Sequence, residues 1–226
     1  MNLLTELWDN YKYYRKIKKT SPKVEEFYGF LTSDLHSKYP KGHSFSGRKV
    51  LNVGCGKGVF PASNVVNLDI YEGQGVNVVW DLSKTPIPFE SNSFDLVIAN
   101  HVLEHVPNWF ECFKELARVV NVGGAIEIWV PPVSSDSAFS YRDHINIIGD
   151  NSFAGCKSFD RSGTNLSASK EMKTAGDVSK LTITHRYIKM AIKWWITLAP
   201  QFMKAWMVDY LRNTVSEMGY IFIKGE

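Results

Sequence analysis

The stretch Ser93–Val106, "SFDLVIANHVLEHV", can be read in two ways that lead to different proteins. Its end, His101-Val-Leu-Glu-His105, matches H-x-x-E-H, in which two histidines one helical turn apart hold Zn²⁺ and the glutamate serves as base. That chemistry needs both histidines inside a continuous helix. Pro107 follows directly and biases Val106 away from helical backbone. Before His101 runs "FDLVIA", an apolar stretch of the kind that buried strands show. The stretch is therefore a strand that delivers Asn100 and His101 to a turn at its carboxyl end. A third zinc ligand sought at Glu111 or Glu115 would stand on the solvated face of the next helix. No metal is expected, because neither "HVLEH" nor the later "YRDH" supplies a closed ligand set.

The same texture repeats on both sides. "KVLNV" from Lys49 ends in glycines, "NVVNL" in Asp69, "VNVVW" in Asp81 and "AIEIWV" in Pro131-Pro132. Apolar runs without alternation, each closed by a polar, glycine or proline residue, are expected of buried parallel strands. "NWFECFKELARVV" places Phe110, Phe113, Leu116 and Val120 on one helical face, with "NVGG" as its stop. The expected fold is α/β, a Rossmann-like doubly wound and mostly parallel sheet, with its ligand beyond the carboxyl ends of the strands. The polar residues just named stand at such ends.

The chain has 226 residues, which suits one domain, 1–226. Residues 1–45 are expected to be an N-terminal helical extension, with two helices over 2–38 broken at "TSPK", where Ser21 caps and Pro22 opens the second. The sheet core is 46–132, and 133–226 adds loops, helices and final strands. Within that part, residues 150–180 form a polar excursion. A strand is expected at "LTITHRYI", helices through "IKWWITLA" and "FMKAWMVDYLRNTVSEM", and a last strand at "YIFIK".

Lys plus Arg number 26 against 23 acids, and a net charge of +3 offers no phosphate footprint for a nucleic acid. Cys55, Cys112 and Cys156 are an odd set without a C-x-x-C pair, so a reducing, cytoplasmic setting is expected. No apolar run approaches the ~18 residues of a membrane span.

"VLNVGCGKG", Val50–Gly58, spaces glycines at 54, 56 and 58, where a dinucleotide fingerprint would need one at 59. This spacing, Asp69, Asp81-Leu82, "TPIPFESNSFDLVIANHVLEHV" and "ARVVNVGGAIEIWVP" together resemble the motifs of the class I S-adenosylmethionine-dependent methyltransferases, in the family's order from Lys49 to Pro132. The resemblance implies S-adenosylmethionine as cofactor. It assigns the cofactor to Gly54, Cys55 and Gly56, to Asp69 with Ile70 at the ribose, to Asp81 and Leu82 at the adenine, and to Asn100 and His101 as the floor. His101 and His105 then belong to the turn after the fourth strand of the core.

Two departures stand out. Asn52 occupies a position where the family usually carries an acid for the cofactor's ammonium. Only "GCGKGVFPASN" links the first core strand to the second, with Pro61 in its middle, so a shortened crossover with a vestigial helix is expected. The same departures resemble a methyltransferase branch associated with surface-polysaccharide assembly. In that branch "SYRDHINIIGDNSF" resembles a D-P-x-H-type stretch, which makes Asp143 and His144 the catalytic candidates beside an acceptor hydroxyl.

The function implied is O-methylation of a sugar in a glycan or its precursor. The alternatives are methylation of a small aromatic or lipid-like metabolite, and a non-catalytic binding module, which Asn52 favours. "YIKMAIKWWITLAP" would set Lys189, Lys193 and Thr197 in one stripe of a helix, making 187–206 a face for a membrane surface or a second copy.

Overall fold

The computed structural model describes residues 25–29, 45, 47–153, 156 and 176–226. Its strands are β1 (Glu25–Gly29), β2 (Val50–Val53), β3 (Val65–Asp69), β4 (Val78–Val79), β5 (Phe94–Asn100), β6 (Val120–Val130), β7 (Leu181–Met190) and β8 (Val215–Lys224). They form one sheet in the order β1-β7-β8-β6-β5-β2-β3-β4. Pairing is parallel except where β8 runs antiparallel to β6 and β7.

The unalternated apolar runs have the expected cause. β2 is buried at all four positions, and its neighbours divide between two cores as their side chains alternate across the sheet. Leu51, Val53, Val97, Ile126 and Ile128 face one core, and Val50, Leu96, Ile98 and Ala125 the other. Helix α1 (Trp109–Val119) packs Cys112, Phe113, Leu116 and Ala117 into the first core. Phe45 and Phe60 pack against the second. The last carbonyls of α1 and the turn after it are met by buried Lys224, whose ammonium donates to the oxygens of Ala117 (2.8 Å) and Val120 (3.1 Å) and to Asn92 Oδ1 (2.9 Å).

Between β2 and β3 no helix forms. Asparagines hold the connection instead. Asn52 Nδ2 donates to Gly58 O (3.0 Å) and Asn67 Oδ1 (2.9 Å), and Asn67 also accepts from Phe60 N–H (3.1 Å) and donates to Phe60 O (3.0 Å). Asn77 Oδ1 accepts the Asn67 N–H at 2.8 Å. With Asn52 and Asn67 buried, these bonds satisfy loop backbone that a helix would otherwise satisfy internally.

Several expected elements differ. The expected helices over 2–38 lie mostly outside the described residues, but Glu25–Gly29 is a strand, paired in parallel with His185–Lys189. "NVGG" is no helix stop. β6 begins at Val120, and the shift from Phe94–Val120 to Leu96–Ala125 pairing makes this segment an irregularity in the strand. The helix expected to carry Lys189, Lys193 and Thr197 does not exist as such. Tyr187–Met190 complete β7 because β8 pairs with it as far as Met190, and only the short helix α2 (Trp194–Thr197) follows there. Lys189 pairs with Glu217. Helix α3 (Gln201–Tyr210) also ends earlier than expected, and "VSEM" opens β8. Ile192, Leu198, Phe202 and Trp206 are exposed along this segment.

Most of the 150–180 excursion lies outside the described residues, and its ends are 3-10 turns at Asp150–Phe153 and Gly176–Lys180. Among the described residues, no helix is long and apolar enough to cross a membrane.

Candidate active site

The carboxyl ends of β2, β3 and β5 lie side by side, so their loops share one edge of the sheet. At β2 the chain turns through Gly54 (φ +60°) and Gly56 (φ +48°), the left-handed region that side chains avoid. The two glycines serve different neighbours. A Cβ on Gly54 would stand 2.3 Å from Val102 Cγ2, so this glycine lets the turn after β5 pack underneath the loop. A Cβ on Gly56 would meet nothing within 4 Å, which leaves open space beside Asp69.

Asp69 Oδ2 accepts the Gly56 N–H (2.7 Å) and Oδ1 the Tyr71 N–H (3.1 Å). Each carboxylate oxygen keeps a second acceptor direction. Ile70 beside it is exposed, whereas Cys55 is buried, its N–H on Leu68 O (3.1 Å). Burial and then the Asp69 charge push the Cys55 thiol up, so it stays protonated. Asp81 closes an Asx-type turn with Ser83 N–H (2.9 Å), and Ser83 holds its carboxyl below the ordinary range. Leu82 is buried in the core and Asn100 is exposed at the end of β5.

His101 has φ +51°, rare for a residue with a side chain, and its N–H is fixed on Trp129 O at 2.9 Å. Its Nδ1 lies 3.1 Å from Glu104 Oε1 and its Nε2 3.8 Å from Glu217 Oε2. Burial opposes the charge on His101, but hydrogen bonds and attraction from Glu104 and Glu217 raise it to about 9. Glu217 is held at about 2, against burial, by His101 and Lys189. At neutral pH His101 is therefore an imidazolium, with no lone pair to take a proton.

The loop after β6 is stitched to this turn. The N–H groups of Ile145 and Asn146 both donate to Glu104 O at 3.0 Å, and Asn146 Nδ2 reaches Val106 O at 2.6 Å. His144 thereby stacks edge-on against His105, with ring centroids 4.8 Å apart. Asp143 and His144, neighbours in sequence, do not pair. The Asp143 carboxylate is 3.4 Å from His105 Nδ1, and its carbonyl 3.0 Å from the same nitrogen.

The structure thus joins "HVLEH" to "YRDH", a junction the linear spacing conceals. Sequence reasoning missed Glu104 and Glu217 as partners of His101, and Asn67 and Asn77 as supports of the glycine loop. For Glu104 a signal was available. An acid flanked by two histidines on a segment too short to be an amphipathic helix has no solvated face to occupy.

Residues 51–128 match a family model described as "Methyltransferase domain". Over 98 residues the chain is 32% identical to a malonyl-[acyl-carrier protein] O-methyltransferase of Legionella pneumophila, covering 35% of this chain and 34% of that protein. It is 35% identical over 98 residues to a cycloartenol-C-24-methyltransferase of Arabidopsis thaliana, covering 34% of this chain and 29% of that protein. The chain therefore spans about a third of the length of these relatives. Among solved structures, a SAM-dependent methyltransferase from Archaeoglobus fulgidus superposes with a TM-score of 0.52 at 15% identity, over 80% of this chain and 88% of that one, which shows the shared fold.

The strand-end residues fit S-adenosylmethionine. Asp69 can accept from both hydroxyls of a ribose, and the open space at Gly56 lets that group approach the backbone. Asn52, where the resemblance places an acid, is buried, with its Nδ2 donating to Gly58 O and Asn67 Oδ1. Fold, strand-end site and matched segment agree: residues 51–128 match a methyltransferase domain, and the sheet that carries them has the fold of a SAM-dependent methyltransferase.

Proposed function

We propose that the chain as a whole is an S-adenosylmethionine-dependent O-methyltransferase whose acceptor hydroxyl lies against the Tyr141–Ile147 loop. The observation that carries this reading is the double hydrogen bond from Ile145 and Asn146 to Glu104 O. It ties an imidazole, His144, to the turn that follows the cofactor floor at Asn100 and His101.

The bound cofactor supplies a methyl group already activated by positive sulfur. The chain's own work is alignment and proton removal. His144 is the proton acceptor in this reading, worth ~10²–10⁴ in rate. His101, already charged, orients Glu104. Asp143 acts one step removed, holding His105, against which His144 rests.

Sugars and small aromatic or lipid-like metabolites are the acceptor classes in question, and one observation favours the second. Val133, Phe139, Tyr141, Ile145 and Ile147, on the loop that carries His144, are all about half exposed. Such a rim suits an acceptor with an apolar body. Transfer of labelled methyl groups onto a panel of saccharides and of aromatic and lipid-like alcohols tests this. Transfer to sugars alone would reverse the acceptor class. Calorimetry showing no S-adenosylmethionine binding at millimolar concentration would sink the enzyme reading altogether.

A further inference from the structure

We propose that Glu104, His105 and His144 form a binding site for one divalent transition-metal ion of the zinc type. One carboxylate oxygen of Glu104 and one nitrogen of each imidazole lie within 4.8 Å of one another. The expectation of no metal rested on "HVLEH" and "YRDH" as separate segments, and the fold brings them together. The ligand pair is not His101 with His105, which the inverted zinc signature would use.

Three observations point to a cation and not to a chance cluster. Glu104 is 1% exposed, and although Oε1 accepts from His101, Oε2 has no hydrogen-bond partner. A buried carboxylate oxygen left unpaired is costly, and a bound cation removes that cost. His144 Nδ1 is likewise buried without a partner. On His105, Nδ1 faces the Asp143 carbonyl at 3.0 Å. A carbonyl only accepts, so Nδ1 carries the proton and Nε2 presents its lone pair. A histidine fixed in its tautomer by a carbonyl on the far nitrogen is the usual support of a metal ligand.

Two imidazoles and one carboxylate are also the protein ligand set of open, catalytic zinc sites, with a position left for an exogenous oxygen. Tetrahedral bonds of ~2.0–2.1 Å set ligand atoms about 3.3 Å apart, so the cluster must draw in by on the order of an ångström. Asp143 and Ile145 beside His144 are exposed, which leaves that stretch room to move.

The use of the ion in catalysis rests on the methyltransferase reading, but its binding does not. With the ion bound, a hydroxyl on the open position would lose its proton to solvent more readily; without it, His144 keeps the role of proton acceptor.

The test is titration of the full chain with Zn²⁺, followed by competition with a chromophoric chelator, and with Co²⁺ by visible absorption. One ion per chain and a tetrahedral Co²⁺ spectrum without thiolate bands are expected. His144→Ala, His105→Ala and the isosteric Glu104→Gln should each weaken binding on the order of 10-fold or more, with unchanged far-UV dichroism. Cofactor affinity, measured separately, should survive in His144→Ala and His105→Ala. No stoichiometric binding up to millimolar Zn²⁺, or equal affinity in those two alanine variants, would overturn the site. Ion binding without cofactor binding would leave the site standing and remove only its link to methyl transfer.

Discussion

The two parallel connections that flank β2 in the sheet are built differently. From β5 the chain passes through α1 before returning as β6, and the connection is held by apolar packing of Cys112, Phe113, Leu116 and Ala117. From β2 it returns as β3 through a loop without a helix, held by the amides of Asn52, Asn67 and Asn77. Apolar packing is non-directional and tolerates small shifts. Amide bonds fix positions but fail outright when a partner is lost. The proposed cofactor edge lies on the amide-held side. Damage to the α1 side should therefore appear as lost stability, and damage to the loop side as lost binding.

The largest effect belongs to the packed side. Leu116 is fully buried, and Leu116→Ala should cost ~2–5 kcal/mol of unfolding free energy. A urea titration checks this, and the cofactor affinity of the remaining folded protein should change little. Equal losses in both would mean that the two connections are not separable.

On the loop side, Asp69→Ala should weaken cofactor binding by on the order of 2 kcal/mol, since a charged acceptor for two ribose hydroxyls is removed. The Gly56 and Tyr71 N–H groups lose their acceptor as well, so the loop itself should loosen. Calorimetric affinity unchanged from wild type would mean that Asp69 does not face the ribose.

The same contrast explains what the sequence made legible. Strands β2, β3, β5 and β6 could be read because burial on both faces leaves an unalternated apolar run. The later strand β7 was read short and continued as a helix, because "YIKMAIKWW" fits a helical stripe as well as a strand. Its pairing with β8 decides the matter, and that partner lies more than twenty residues away. The loop motifs were legible because glycine and aspartate have few other uses at a strand end. The asparagine network was not, because buried amides leave no periodicity. The Glu104–His105–His144 cluster was half legible, since its two segments are separated by the whole of α1 and β6.

Restoring the family's acid probes the amide side directly. In Asn52→Asp the side chain would present oxygens to Gly58 O and Asn67 Oδ1, both acceptors, and lose two hydrogen bonds. We expect about 1–2 kcal/mol of lost stability and weaker cofactor binding, not an improved ammonium contact. Tighter binding in this variant would show that the loop can reorganise to free the carboxylate.

The smallest effect returns to α1 and concerns its charges. Glu115 and Arg118 face each other at 2.7 Å and together hold the turn before β5, Glu115 through the Ile87 N–H (2.8 Å) and Arg118 through Phe89 O (2.9 Å). Burial alone would raise the Glu115 carboxyl, but hydrogen bonds from Arg118 and Ile87 and the guanidinium charge outweigh it, and the group sits below its ordinary 4.5. A carboxyl lowered in the folded state contributes stability that is complete above its unfolded value and is lost as pH falls through the folded one. Stability of the wild type should therefore decline below about pH 4.5 in part through this group, and Glu115→Gln should flatten that part of the profile. The loss should be well below that of Leu116→Ala, because a single ion pair at the edge of a core offsets much of its attraction by desolvation. Urea midpoints measured from pH 7 to pH 3 decide it. An acid limb identical in wild type and Glu115→Gln would show that this ion pair carries none of the acid dependence, and Glu217, held at about 2 by His101 and Lys189, would be the next to test.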